Sequence, residues 1–194
     1  MENIYTEEFI FDMFVKTGAL LKGHFKLSSG LHSDTYLQCA KVSQYPHYNT
    51  LLAYIIASQF RDEKNDVVIG PALGGIALAY QVARELGIRS IFAERDKDKK
   101  MALRRGFSIE PKERVLVVED VITTGASIKE IIKIVQKSGG KLIGVASIVN
   151  RSNDVVLAKN QYSILNIEAP IYKPEKCPLC QKKIPITSPG SKHI

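Results

Sequence analysis

The sequence predicts an α/β fold: a doubly wound, mostly parallel sheet with helices on both faces. Three observations carry this. Largely apolar runs recur at Val67-Val68-Ile69, Ser90-Ile91-Phe92-Ala93, Val115-Leu116-Val117-Val118, Leu142 to Val149 and Tyr162 to Ile167, as expected of strands buried on both faces. Helical patterning fills the gaps between them, over Ile76 to Leu86 and Ile128 to Lys137, and strands that alternate with helices imply parallel crossovers. The 194 residues are 45% hydrophobic and 24% charged, enough apolar material for a full core without a disulfide framework.

The elements follow in order. Residues 5–21 place Phe9, Ile10, Met13, Phe14, Leu20 and Leu21 partly at helical spacing, with Thr6 as N-cap and Gly18 near the end, which predicts an amphipathic helix. In residues 23–41, Phe25, Leu27, Tyr36 and Leu37 sit among Ser28, Ser29, Gly30, His32 and Ser33; this reads as two short strands around a polar turn, forming a hood or edge hairpin. A helix is expected from about Tyr48 to Phe60. The strand at 67–69 leads into a loop, Gly70-Pro71-Ala72-Leu73-Gly74-Gly75, and then a helix. Segment 94–105 shows no clear periodicity, and Arg95 to Arg105 carries Arg95, Lys97, Lys99, Lys100, Arg104 and Arg105 against two aspartates. Arg114 to Val118 forms a further strand, followed by the helix to Lys137 and a Ser138-Gly139-Gly140 stop. The chain is read as a single domain over 1–194. Helix and hood elements occupy about 1–45, the α/β core about 64–170, and a tail with a CxxC pair about 171–194.

Several classes are excluded. No run of 18 apolar residues exists, so no spanning helix is expected. The N-terminus is acidic and does not resemble a signal peptide. Three cysteines, with Cys39 far from the others, suggest a reducing, cytoplasmic setting. The net charge of +7 fits an anionic ligand, although a solvated basic surface is the commoner cause of so modest an excess. Aromatic residues are not interleaved with the basic run, so single-stranded nucleic-acid stacking is not suggested; no nucleic-acid partner is expected.

The chemistry concentrates in Glu119-Asp120-Val121-Ile122-Thr123-Thr124-Gly125-Ala126-Ser127. It follows a buried strand and opens a helix, so free backbone N–H groups and the positive end of a helix dipole face one spot, a seat for phosphate. The adjacent carboxylates suit sugar hydroxyls, directly or through magnesium, and the pair of features implies a ribose 5-phosphate ligand. No Gly-Lys-Ser/Thr closes the turn as in a Walker A loop, and GxGxxG is absent. Gly74 and Gly75 leave backbone N–H groups open to a pyrophosphate, or serve only a tight turn. The basic segment 94–105 is expected to act as a lid whose cations neutralise a leaving polyphosphate; a solvated charge run is the plainer alternative. Arg151, just past a strand, can hold a planar carboxylate with two parallel bonds. Cys177-Pro178-Leu179-Cys180 looks like half of a zinc knuckle; Cys39 and His193 are the candidate extra ligands, and the alternative is a proline turn with two free thiols. His24, His32 and His47 show no ligand spacing and are not expected in catalysis.

Residues Val115 to Ser127 match in full the phosphoribosyl pyrophosphate (PRPP) signature of the type I phosphoribosyltransferases, which the chain resembles. Within that superfamily, Phe25-Lys26-Leu27-Ser28-Ser29-Gly30 with Ser33 and Tyr36, then Gly70 to Gly75, Arg104-Arg105-Gly106-Phe107 and Asn150-Arg151 look like the orotate phosphoribosyltransferases. The resemblance runs from about residue 5 to the C-terminus and includes the cysteine tail ending Pro189-Gly190-Ser191. It implies a type I phosphoribosyltransferase-like fold with a small hood from the N-terminal segment. It implies a pentosyltransferase of pyrimidine (UMP) biosynthesis that converts orotate and PRPP, with Mg²⁺, to orotidine 5'-monophosphate and pyrophosphate. Glu119 and Asp120 would hold the ribose hydroxyls. The backbone of Val121, Ile122, Thr123, Thr124, Gly125, Ala126 and Ser127, with the hydroxyls of Thr123, Thr124 and Ser127, would cradle the 5-phosphate. Gly74 and Gly75 would lie against the pyrophosphate. Arg151, Thr123 and the hood residues Ser28, Ser29 and Gly30 would meet orotate. Arg95, Lys97, Lys99 and Lys100 would belong to a mobile loop that reaches the neighbouring subunit of a homodimer; the three lysines and Asp120 would be the catalytic set. Some relatives carry lysine where Gly74 and Ser28 stand, and the loop is shorter than in the best-known branch. Two other readings remain: a purine phosphoribosyltransferase, opposed by Arg151 and the hood segment, and a PRPP-sensing regulator that binds nucleic acid, opposed by the loop lysines.

Overall fold

The computed structural model describes residues 6–27, 29–152 and 154–189. Helix α1 (Glu7–Lys16) starts as expected, with the Thr6 hydroxyl accepting from the Phe9 N–H at 3.2 Å. It ends earlier than the apolar spacing suggests. The Thr17 hydroxyl donates to the Met13 carbonyl, Gly18 turns left-handed at φ +67°, and the Ala19 N–H closes on Phe14. Leu20 and Leu21 therefore open a strand, β1 (Leu20–Lys26), instead of extending the helix.

β1 pairs antiparallel with β2 (His32–Leu37). The hairpin foreseen for 23–41 is present, but it is not built from the N-terminal segment alone. A strand from the tail, β9 (Ile171–Tyr172), pairs with β2 and makes a three-stranded hood sheet ordered β1-β2-β9.

The short α2 (Ala40–Ser43) and α3 (Pro46–Phe60) lead into the main sheet. Its strands are β3 (Val67–Pro71), β4 (Arg89–Arg95), β5 (Met101–Leu103), β6 (Arg114–Ile122), β7 (Lys141–Asn150) and β8 (Gln161–Asn166), in the order β5-β4-β3-β6-β7-β8. All neighbours are parallel except the edge pair β4–β5. α4 (Gly74–Leu86) carries the chain from β3 to β4, and α5 (Ala126–Lys137) carries it from β6 to β7 in the opposite direction. The winding reverses between β3 and β6, the place where doubly wound sheets bind ligands at their carboxyl ends.

Side-chain alternation in the central strands fills two cores. Val68, Leu116, Val118, Ala146 and Ile148 join α1, α3 and α4 on one face. Val67, Ile69, Val115, Val117 and Val145 meet Ile128, Ile131 and Val135 of α5 on the other. Each buried Val, Leu and Ile among these contributes about 1.5–3 kcal/mol, so both faces anchor the strands that position the site. Phe60 presses on the backbone of β7 so closely that a Cβ at Gly144 would lie 2.3 Å from its ring. At the amino ends, Asp66 takes two hydrogen bonds from the Arg114 guanidinium, at 2.8 and 2.5 Å, and a third from its N–H at 2.9 Å. These hold its carboxyl down to about 2.

Segment 94–105 departs from the irregular loop expected. β4 continues to Arg95, and β5 returns antiparallel beside it. The five-residue turn between them is organised by Asp96, whose Oδ1 accepts from the N–H groups of Asp98 and Lys100 at 2.9 and 3.0 Å. Local side chain-to-backbone bonding of this kind leaves no hydrophobic periodicity to read. The tail adds α6 (Pro178–Gln181). No helix among the described residues is long and apolar enough to cross a membrane.

Candidate active site

β6 ends with Glu119-Asp120-Val121-Ile122, so the acidic pair lies within the strand and not in the turn after it. Gly125 is the N-cap of α5 at φ +68°, with no side-chain capping bond. The first intrahelical bond is that from the Lys129 N–H to the Gly125 carbonyl. The N–H groups before it open into a concavity lined by Glu119, Val121, Ile122, Thr123, Thr124, Gly125, Ala126, Ser127 and Ile128. This is an anion seat by geometry and by dipole. A Cβ on Gly125 would stand 2.7 Å from Leu157 and 3.1 Å from Val155, so segment 155–157 backs the cup and glycine is required there both by space and by backbone angle.

The loop after β3 meets the acidic pair directly. A Cβ on Gly74 would lie 2.6 Å from Asp120 Oδ2, and one on Gly75 would lie 3.1 Å from the Val118 carbonyl and 3.4 Å from Glu119 Oε1. The Ala72–Leu73 peptide within this loop is cis. The two glycines thus let the β3 loop close onto the carboxylates. Asp120 Oδ1 accepts the Val121 N–H at 2.8 Å, and Glu119 Oε1 accepts the Asp120 N–H at 3.1 Å. Burial, reinforced by the neighbouring Asp120 carboxylate, pushes the Glu119 carboxyl up to about 9. Burial beside a second acid thus keeps the Glu119 carboxyl protonated until a ligand brings hydroxyl donors or positive charge.

Arg151 follows β7, which pairs with β6 as far as Asn150 opposite Ile122. Its N–H donates to the Ile122 carbonyl at 2.8 Å, fixing the residue beside the cup. Its Nε is buried without a hydrogen-bond partner among the described residues, and burial lowers its pKa below the usual guanidinium value. A buried, unpaired guanidinium N–H is a site waiting for an acceptor. Of the hood residues, Ser29 and Gly30 lie in the β1–β2 turn, closed by bonds between Leu27 and Leu31 and from Gly30 to Leu27. Ser28 lies outside the described residues, as does His193.

The basic segment is sorted by its partners. Arg95 ion-pairs with Glu130 of α5 at 3.2 Å and donates to the Lys99 carbonyl. Glu130 also accepts the Met101 N–H at 2.9 Å, so it ties the β4–β5 hairpin to the helix that starts at the cup. Arg104 and Arg105 pair with Glu94 at 3.8 and 3.2 Å. Lys97, Lys99 and Lys100 are exposed on the turn, form no ion pair among the described residues, and do not line the concavity. Two residues the motifs did not single out belong here: Glu130, for its anchoring role, and Lys129, whose Nζ lies 3.4 Å from the Thr124 carbonyl on the rim of the cup. Helical spacing hides both among ordinary surface charges of α5.

The remaining cysteine and histidine expectations need correction. Cys39 is buried with Sγ 3.8 Å from the Asp120 carbonyl, away from the CxxC pair, and cannot join it in a metal site. His24 and His32, read as having no ligand spacing, stand against Cys177 and Cys180 instead. The hairpin brings together what the linear spacing separates: His32 pairs with Lys26, two residues past His24, so the two rings are diagonal neighbours on one face.

Residues 43–179 match the family model described as the phosphoribosyl transferase domain. An orotate phosphoribosyltransferase of Chlorobium phaeobacteroides (strain BS1) is 53% identical over 186 residues, covering 95% of this chain and 96% of that one. The chain belongs to the orotate phosphoribosyltransferases. A second member of the family, from Caldanaerobacter subterraneus subsp. tengcongensis, is 51% identical over 97% of this chain and 99% of its own. These likenesses decide for the orotate branch over the purine one. The crystal structure of orotate phosphoribosyltransferase from Aeropyrum pernix superposes with a TM-score of 0.69, covering 80% of this chain and 92% of that one, at 23% identity; that likeness bears on the fold.

Proposed function

We propose that the cup, the acidic pair and Arg151 divide the two substrates of orotate phosphoribosyl transfer between them: orotate + PRPP ⇌ orotidine 5'-monophosphate + pyrophosphate. The 5-phosphate sits on the N–H groups and hydroxyls of Thr123 to Ser127, at the start of α5. Glu119 and Asp120 hold the ribose hydroxyls, and Gly74 and Gly75 offer backbone to the pyrophosphate. Arg151 takes the orotate carboxylate, with Thr123 and the hood turn beside the ring. The observation that carries this reading is the buried Nε of Arg151, unpartnered among the described residues and held next to the cup by the Ile122 carbonyl.

Cleavage of the bond from C1' to pyrophosphate leaves positive charge on the ribose ring. Fixed anionic and dipolar groups aimed at that charge lower the barrier without reorganising, and in this reading Asp120 takes that role. The Glu119 carboxyl, raised first by burial and then by the neighbouring Asp120, releases its proton more readily when a divalent cation arrives with the substrate. Mg²⁺ bound with PRPP supplies neutralisation of the leaving pyrophosphate. Orotate becomes a conjugated anion when its ring nitrogen loses a proton, so no strong protein base is demanded.

Lys97, Lys99 and Lys100 contribute by closing over the pyrophosphate. They have no competing ion pair among the described residues and do not line the cup. We take them to serve a neighbouring subunit's site in a cytoplasmic homodimer. The direct test is Arg151→Ala with Arg151→Lys beside it. A charge-assisted fork is worth roughly 2–4 kcal/mol, so alanine lowers kcat/KM for orotate by about 30- to 10³-fold. PRPP affinity is retained, and lysine recovers only part of the loss. An unchanged KM for orotate in Arg151→Ala would remove the assignment.

A further inference from the structure

The reaction leaves one group of chemically capable side chains unused. His24, His32, Cys177 and Cys180 each present one ligand atom, and the four atoms lie within 4.8 Å of one another; all but Cys180 are buried. His24 Nε2 is 3.0 Å from His32 Nδ1, and 3.6 and 3.7 Å from the sulfurs of Cys177 and Cys180. The Cys180 sulfur is 3.4 Å from His32 Nδ1. A tetrahedral zinc ion, with bonds of about 2.3 Å to sulfur and about 2.0–2.1 Å to nitrogen, sets edges of about 3.3–3.4 Å between nitrogens and about 3.5–3.6 Å between nitrogen and sulfur. The four contacts depart from those edges by no more than about 0.4 Å.

We propose that His24, His32, Cys177 and Cys180 form a structural zinc site that fastens the C-terminal tail to the hood hairpin. The tautomer supports it. His24 Nδ1 lies 2.8 Å from the Ile184 carbonyl, which only accepts, so Nδ1 carries the proton and Nε2 turns a lone pair to the centre. Metal-bound histidines are held in this way by a backbone carbonyl on the far nitrogen. The backbone supports it as well. Cys177 caps the short α6, whose single turn brings Cys180 round to the same side. The tail beyond then runs along β1, with the Thr187 N–H on the His24 carbonyl and the Lys26 N–H on the Thr187 carbonyl, both at 2.8 Å. Two thiolates with two imidazoles select zinc over the hard cations. Four protein ligands leave no open position, so the ion is structural and not catalytic. It stands apart from the Mg²⁺ that accompanies PRPP and needs no assumption about the transferase reaction. Its ligands flank the 27–31 turn, so it also fixes the base of the hood.

Elemental analysis of the full chain, purified without chelators, tests the site. About one zinc per chain is expected. His32→Ala and Cys177→Ser should each fall below about a tenth of that, whereas Cys39→Ser keeps its metal because Cys39 lies against Asp120. If the ligand variants fail to accumulate, the wild-type chain decides alone. Stripped of metal and titrated with Co²⁺, it should develop the intense visible bands of tetrahedral cobalt, together with thiolate charge transfer. A wild-type chain that takes up neither zinc nor cobalt, one that carries a Cys177–Cys180 disulfide in place of metal, or ligand variants with full metal content would overturn the proposal.

Discussion

Replacing Glu119 with glutamine should flatten part of the dependence of stability on pH. In the folded chain Glu119 keeps its proton up to about 9, whereas the ordinary value is 4.5. A carboxyl raised on folding contributes stability that is whole below the unfolded value and is lost as pH rises toward the folded one. Between those limits the native state holds one proton more than the unfolded state, so stability falls by about 1.4 kcal/mol per pH unit. From about pH 6 to about pH 8 that is roughly 2.7 kcal/mol. Glu119→Gln has no proton to lose and should lack this slope while keeping every other contribution. Asp120→Asn should reduce the slope without abolishing it, because burial is the larger cause and Asp120 the second. Urea unfolding at fixed protein concentration, fitted at several pH values, reads the difference directly. Parallel stability profiles for wild type and Glu119→Gln over this window would refute the claim that burial beside Asp120 holds the Glu119 proton.

Other perturbations follow from the same geometry. Lys99→Ala or Lys100→Ala should lower kcat more than it raises KM for orotate in steady-state assays; wild-type turnover in both would dismiss the lid lysines. Gly125→Ala must place a side chain in left-handed backbone at about 1–2 kcal/mol and press on Leu157 at 2.7 Å. Its urea midpoint should drop and KM for PRPP should rise, with Leu157→Ala recovering the packing part only. Asp66 is held down to about 2, so its bond to Arg114 contributes above its unfolded value near 3.8 and is lost as pH falls through about 2. Asp66→Asn should narrow the gap in acid unfolding between wild type and variant as the pH drops, and a constant gap would argue against it.

The fold was legible wherever one physical signal dominated. Central strands buried on both faces announce themselves as apolar runs, and the Thr6 cap and the turn at Gly125 are chemical signals with single meanings. The bounds of α1 were less legible, because Leu20 and Leu21 continue a helical spacing that Thr17 and Gly18 interrupt. Segment 94–105 was read as irregular because its hairpin is organised by Asp96 and by ion pairs to Glu94 and Glu130, none of which produces a hydrophobic period. The hood's third strand, β9, is two residues long and carries no strand signal of its own.

At the site, the cup and acidic pair were visible as a local motif. Their closure against Gly74 and Gly75 depends on the reversal of winding between β3 and β6, which only tertiary structure sets. The histidines beside the CxxC pair are illegible in the sequence for a related reason. Ligand spacing in zinc knuckles is sought along one segment, whereas His24 and His32 face each other across a hairpin and meet the tail only after the whole sheet has formed. A register assigned to that hairpin would have placed the two imidazoles on one face.

Orotate specificity through Arg151 beside a PRPP cup is the central claim, and loss of orotate absorbance in the presence of PRPP and Mg²⁺ tests it most directly. Orotate should disappear with matching formation of pyrophosphate, while adenine, hypoxanthine and xanthine are not consumed under the same conditions. Orotate left intact while one of the purine bases is converted would contradict it.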